Sequence, residues 1–191
     1  MLAFTREEML ARVLESYSGS YDIEREVSEP DRPELVARAH FHVEESQYML
    51  SKKAVMYSTD SDEYVWFFSV GQLTEQVCDS CIRYAWEHGL PLADHESGKQ
   101  MVTRIAAIFL CDSLEDEAAA CVQKCRYYKS FQFSLKGWCE CQAVAADLGK
   151  ESAVSNRFGR ETAKHLKNLM HPRQKREGLG GRLLRSMTRR G

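Results

Sequence analysis

The sequence predicts an α+β protein: a mixed, mainly antiparallel sheet of about five to six strands with helices packed on it, in the order α-β-β-β-α-β-α-β-β-α. Three observations predict it. Residues 34–70, ELVARAHFHVEESQYMLSKKAVMYSTDSDEYVWFFSV, hold three runs of strand-forming residues separated by the polar breaks VEES and STDSDE, the pattern of an antiparallel meander. The third run, Tyr64-Val65-Trp66-Phe67-Phe68, is apolar at every position and so belongs mid-sheet with both faces covered. Downstream, amphipathic stretches of helical period alternate with further strand-like runs, which brings in strand–helix–strand units and mixed pairing.

The elements follow in order. Thr5 with Glu8 forms a capping box, and Phe4 and Met9 stand at hydrophobic-staple spacing. Met9, Leu10, Val13, Leu14 and Tyr17 then make one apolar stripe. SYSGSYDIEREVSEPDRP begins as a breaker, stays polar, and includes a loop before the sheet. In the first strand Leu35, Ala37, Ala39, Phe41 and Val43 share one face, and Val36, Arg38, His40, His42 and Glu44 the other. A second strand spans about Tyr48–Tyr57. Leu73–His88 reads as a helix stopped by Gly89 and Pro91. LADHESGKQ is a polar loop and Met101–Cys111 a buried strand. Ser113 with Asp116 opens a helix that turns Ala118, Cys121, Val122 and Cys125 inward. Phe131, Phe133 and Leu135 alternate as a strand, Gly137 marks a bulge, and Trp138–Ala146 continues extended. Ala153–Ser155 gives a short strand and Glu161–Leu169 the last helix, ended by His171-Pro172.

With 43% hydrophobic and 28% charged residues, 191 residues suit one α+β domain over 1–170 with a basic tail over 171–191. The tail reads as a solvated end or a short docked helix, with Leu179, Leu183, Leu184 and Met187 at helical spacing. No apolar run approaches the roughly 18–20 residues that span a bilayer, and charges come too early for a secretory leader. An odd seven cysteines, placed in helices and strands, fit a reduced, cytoplasmic protein. Charge is uneven: from Arg160 onward ten basic residues face only Glu161 and Glu177, a surplus of eight, so the body before it carries −10 within the net −2. An acidic body with a basic tail predicts folding back or an anionic partner.

Candidate chemistry is sparse. His40, His42 and Glu44 project from one strand face at the spacing of metal ligands, and His95 in the polar loop is a further candidate for acid–base work. Against this, a strand face that is not core is polar in any case. Cys78/Cys81, Cys121/Cys125 and Cys139/Cys141 lie in periodic elements, where packing explains them better than zinc. The order helix, three strands, helix, strand is that of the restriction-endonuclease-like core, whose enzymes use an Asp and a Glu-x-Lys on adjacent strands with a divalent metal. Glu44, Glu45, Asp60, Asp62, Glu63, Lys52 and Lys53 are available, but Glu45-Ser-Gln and Glu63-Tyr-Val lack the lysine. Arg157 and Arg160 near a helix start, and Arg173, Lys175 and Arg176 in the tail, are candidates for anion or nucleic-acid contact, although pairing with the acidic body is the better account of Arg157 and Arg160.

At Glu63–Ser69 (EYVWFFS), Lys129–Glu140 (KSFQFSLKGWCE) and Val154–Glu161 (VSNRFGRE) the chain resembles an uncharacterised family of small prokaryotic proteins without assigned activity. The resemblance covers most of 35–170 and transfers no catalytic residue. Within it, Asn156 and Gly159 suit left-handed backbone in a turn. The expectation is therefore a non-catalytic cytosolic protein that binds a protein partner or a second copy of itself, without cofactor or membrane. Two alternatives are a metal-dependent hydrolase or nuclease and a nucleic-acid-binding adaptor that uses the tail.

Overall fold

The computed structural model describes residues 4–27, 29–43, 61–93 and 101–171. The aromatic ribbon lies mid-sheet, as its composition requires. It forms part of β3 (Ser61–Leu73), which pairs antiparallel with β2 (Leu35–Val43) and parallel with β4 (Met101–Leu114). Val65 and Phe67 face one layer of helices and Trp66 and Phe68 the other, all four buried.

The remaining elements are α1 (Arg6–Tyr17), β1 (Asp22–Arg25), α2 (Glu75–Gly89) with a single 3-10 turn (Leu90–Leu92), α3 (Asp116–Lys124), β5 (Tyr128–Ser130), β6 (Gly137–Asp147), β7 (Ser152–Ser155) and α4 (Arg160–Met170). Among the described residues the sheet is mixed and seven-stranded, ordered β1-β2-β3-β4-β6-β5, with β7 also on β6. β3, β4 and β6 are parallel, joined by the crossover helices α2 and α3; the outer pairings are antiparallel. This is the α+β fold class expected, with more strands than the five to six anticipated.

Helices cover both faces. Met9, Val13 and Leu14 of α1 and Ala163, Leu166 and Met170 of α4 pack on Phe67, Ile108 and Val144. Cys78, Cys81 and Ile82 of α2 and Ala118 and Val122 of α3 pack on Trp66, Phe68 and Phe109. The capping box is present in full: Thr5 Oγ1 accepts from Glu8 N at 3.2 Å, and Thr5 N donates to Glu8 Oε2 at 2.9 Å.

Several local readings are refined or corrected. The polar stretch before the sheet holds, besides its loop, the unanticipated strand β1, because an edge strand needs only Ile23 half-buried while its other residues face water. A register shift between Leu35 and Ala37 sends Leu35 to the α2/α3 face and Ala37 and Ala39 to the α1/α4 face, so the uniform alternation fails at its first residue. Phe131, Phe133 and Leu135 form no strand. Residues 131–136 turn between β5 and β6 with positive φ at Gln132, Phe133 and Ser134, leaving Phe133 98% and Leu135 78% exposed. Finally, β4 runs through Ser113, and Glu115 is the N-cap of α3 without a side-chain bond. The strand expected over 48–57 lies outside the described residues.

Gly159 does not adopt left-handed backbone (φ −89°); it is glycine because a Cβ would stand 2.5 Å from Val144 Cγ2 and 3.1 Å from Ala143 O. Asn156 is likewise not a positive-φ residue but a buried bracket. Its Oδ1 accepts from Ala143 N (3.2 Å) and Gly159 N (3.0 Å), and its Nδ2 donates to Cys141 O (2.7 Å) and Cys125 O (3.3 Å). All four hydrogen-bonding capacities of the amide are used, which fixes the end of α3, the middle of β6 and the entry to α4 together.

Candidate functional site

Because β3, β4 and β6 run in parallel register, each rung of the sheet lines up three side chains on one face. On the α1/α4 face the inner rungs are apolar but for one amide: Phe67, Ile108, Val144, then Val65, Ala106 and Gln142. The next rung toward the strand N-termini is Glu63, Arg104 and Glu140. A carboxyl, a guanidinium and a carboxyl thus sit side by side at the edge of a layer that is otherwise apolar except for Gln142.

Each member is held. Tyr21 OH donates to Glu63 Oε2 at 2.7 Å, and the Tyr21 ring is itself wedged between Tyr17 (4.5 Å between centroids) and Phe41 (5.1 Å). Arg104 Nε lies 3.5 Å from Glu140 Oε1, while Trp138 Nε1 donates to Glu140 Oε2 at 3.3 Å. Glu63 is only 7% exposed, and burial raises its pKa above the ordinary 4.5. The Tyr21 hydroxyl and Arg104 oppose that shift, and Glu140 adds to it. Glu63 therefore keeps its proton to higher pH than a solvated glutamate and can present a donor as well as an acceptor.

Above this floor the sheet, the end of α1 and the start of α4 enclose a cleft of about 580 Å³. Thr162 Oγ1 reaches Gln142 Oε1 at 2.9 Å, and His165 Nε2 and Ser16 Oγ stand 2.8 Å apart on the wall. Arg157 lies 4.3 Å over the Phe158 ring at the rim. The arrangement can accept and donate hydrogen bonds at its floor and meet an anionic group at its mouth.

The residues singled out from sequence are distributed differently. Arg157 lines this cleft; Arg160 is the exposed first residue of α4. Arg38 and His40 lie on the opposite face. Arg38 bonds Glu29, reaches Tyr84 OH at 3.3 Å and lies 3.4 Å from Glu24. His40 stacks on Tyr64 at 4.3 Å with its Nε2 3.4 Å from Asp62 Oδ1. His42 stands opposite Asp62 in the β2–β3 register. Glu44, His95, Arg173, Lys175 and Arg176 lie outside the described residues. No group of three or more His, Cys, Asp or Glu able to hold a metal occurs among the described residues.

Sequence reasoning missed Arg104 and Glu140 and read Glu63 as a turn acid. The available signal was a lone charge inside an apolar strand run, Arg104 in MVTRIAAIFL and Glu140 in WCECQAVAA. Registering the two strands was the missing step, since neither charge is informative alone.

No described helix is long and apolar enough to cross a membrane. No curated protein and no solved structure matches the chain. A family model matches residues 5–168, from the capping box of α1 into α4, and therefore spans every side chain of the charged rung and its cleft. On that match the protein belongs to the family described as Domain of unknown function (DUF8052).

Proposed function

We propose that the protein is a cytosolic binding protein without catalytic turnover, which takes a small polar ligand in the cleft over Glu63, Arg104 and Glu140. The observation that carries this reading is the charged rung itself. Burying two carboxyls and a guanidinium is at best neutral for stability, whereas the same groups on the floor of a cleft supply directed hydrogen bonds to an occupant. The Glu63 and Glu140 carboxyls and the Arg104 guanidinium offer hydrogen-bonding groups at the floor, and Arg157 at the rim meets an anionic group. A zwitterionic molecule of amino-acid size fits that pattern. The test is a thermal-shift screen of amino acids, small amines and nucleosides. A compound that raises Tm in wild type but not in Glu140→Gln or Arg104→Met supports the reading. No shift from any class, or a shift that survives both substitutions, overturns it.

A metal-dependent hydrolase is the second reading. It draws on the arrangement of α1, then β1, β2 and β3 antiparallel, then α2 and β4 parallel to β3, which has the element order of the restriction-endonuclease-like core. Glu63-Tyr64-Val65 still lacks the lysine of that pattern. Manganese-dependent cleavage of plasmid DNA that disappears in Glu63→Gln would favour this reading over simple binding.

A further inference from the structure

The β5–β6 hairpin carries a second feature, unrelated to the charged rung. Among the described residues the two most exposed large apolar side chains share its tip: Phe133 is 98% and Leu135 78% exposed. Tyr128, on β5 at the base of the same hairpin, is half exposed. Large apolar side chains scattered singly over a surface need no explanation, but a group of them on one projecting turn does.

The tip is a built structure. Phe131 N donates to Gly137 O at 3.0 Å and Lys136 N to Phe131 O at 3.3 Å, while Leu135 N donates to Gln132 O at 3.0 Å and Gly137 N to Ser134 O at 3.3 Å. Phe131 packs back on the α2/α3 core and anchors the turn. Beyond it three successive non-glycine residues, Gln132 (φ 46°), Phe133 (φ 54°) and Ser134 (φ 68°), hold left-handed backbone, which is unfavourable for each of them. Strain in the backbone thus coincides with two apolar side chains held in water, and neither favours the isolated chain.

The charge pattern says what kind of surface covers the tip. The body ahead of Arg160 carries −10, yet from Ala118 to Cys139 there are Lys124, Arg126, Lys129 and Lys136 and no acid. Lys129 and Lys136 flank the tip itself. The next acid along the chain, Glu140, is drawn to Arg104 at 3.5 Å and accepts from Trp138 Nε1 at 3.3 Å. A second copy of the chain could offer the acids of its α2/α3 groove, Glu75, Asp79 and Glu117, but Lys124 and Arg126 stand among them, so that groove is no anionic seat. An apolar tip with lysines at its base instead matches a lipid surface, where the tip enters the acyl boundary and the cations stay with the phosphates.

We propose that the 131–136 turn is a peripheral membrane-docking finger, which inserts Phe133 and Leu135 into a bilayer bearing anionic lipid while Lys129 and Lys136 contact the headgroups. Such a contact needs no spanning helix, so it stands apart from the sequence expectation of no membrane, which considered only spanning runs and a leader. The acidic body is repelled by the same surface, which confines attachment to this end of the molecule. Gly137 begins β6 directly after the turn and Glu140 follows in the same strand, so the charged rung lies toward the docked end of the sheet.

The test is co-sedimentation of the full chain with sucrose-loaded vesicles. Wild type should pellet with equal parts phosphatidylcholine and phosphatidylglycerol, remain in solution with phosphatidylcholine alone, and be released as salt is raised. Phe133→Ser combined with Leu135→Ser should weaken partitioning at least about tenfold, the loss expected on withdrawing two apolar side chains from lipid. Its urea melt should match that of wild type, because neither side chain is packed in the fold. Lys129→Gln combined with Lys136→Gln should weaken binding and flatten its salt dependence. Phe133→Trp should keep binding and gain a fluorescence component quenched by lipids brominated in the acyl chain. No pelleting with the anionic vesicles overturns the proposal, as does equal pelleting with phosphatidylcholine alone. So does pelleting that survives the double serine substitution, the result expected if the basic tail carried the contact. A wild-type dimer in sedimentation equilibrium that the double serine variant dissolves would give the finger to a second copy and overturn it equally.

Discussion

The two faces of the sheet are built on the same strands yet solve different problems. On the α2/α3 face β3, β4 and β6 present Trp66, Phe68, Ile105, Phe109, Cys139 and Cys141, and the rung at the strand N-termini is Asp62, Thr103 and Cys139. On the α1/α4 face they present Phe67, Ile108 and Val144, and the corresponding rung is Glu63, Arg104 and Glu140. One face ends largely in neutral groups and the other in full charges. Both layers carry an opening, a cleft beside α1 and α4 and a groove between α2 and α3, so an opening alone does not decide what a rung may hold. The lesson is that the side chains brought into one register do: acids flank Arg104 on one face, and Thr103 stands between Asp62 and Cys139 on the other.

The comparison can be broken most forcefully at its centre. Phe67→Ala and Phe68→Ala point into opposite layers, and each should cost about 3–5 kcal/mol of unfolding free energy by the cavity left behind. Equal losses in urea melts would show two cores of equal weight; a loss below about 1 kcal/mol for either would mean that its layer is loosely packed. Asn156→Ala strips four hydrogen bonds from the bracket joining the faces and should cost about 3 kcal/mol, since two carbonyls and two N–H groups lose their partner inside the protein. Asn156→Asp keeps the acceptor but loses the donor, and should be as harmful at neutral pH.

Glu63→Gln sharpens the contrast rather than breaking it. Glu63 has a folded-state pKa above its unfolded value, so the stability linked to its proton is fully present below about 4.5 and is lost as pH rises through the raised value. The substitution keeps an acceptor for Tyr21 and removes the buried charge. Relative to wild type it should gain about 1 kcal/mol at neutral pH, and the gain should vanish toward pH 4 in Tm measured against pH. A constant difference across that range would remove Glu63 from the titrating groups. The smallest effect belongs to Phe133→Ser: at 98% exposure the ring has nothing to lose, and the change should stay within about 0.5 kcal/mol.

What the sequence disclosed follows the same logic. The capping box at Thr5, the helix stripes and the two-sided burial of Tyr64–Phe68 are each written in a local pattern whose period matches one element. The register shift at Leu35, the turn at 131–136 and the membership of Glu63, Arg104 and Glu140 in one rung depend on pairings between residues far apart in sequence, which no local period records. Phe131-Gln132-Phe133 alternates as a strand should, yet the chain reverses there because β5 ends at Ser130 and must reach Gly137 in a hairpin. Arg157 and Glu63 were named from the sequence and line one cleft; Arg104 and Glu140, which join Glu63 in its rung, were not.

The long strands β3 and β4 carry rows of apolar side chains that would readily add to a neighbouring molecule's sheet if their backbones were reachable. They are not, because β2 and β6 flank them and, among the described residues, four residues of β1 beyond β2, and three of β5 with four of β7 beyond β6, form the margins on either side. Such brief margins offer an incoming chain little to zip onto. The polar stretch before Leu35 thereby helps keep a sheet this hydrophobic from seeding fibres, and shortening it is where clumping in concentrated solution should begin.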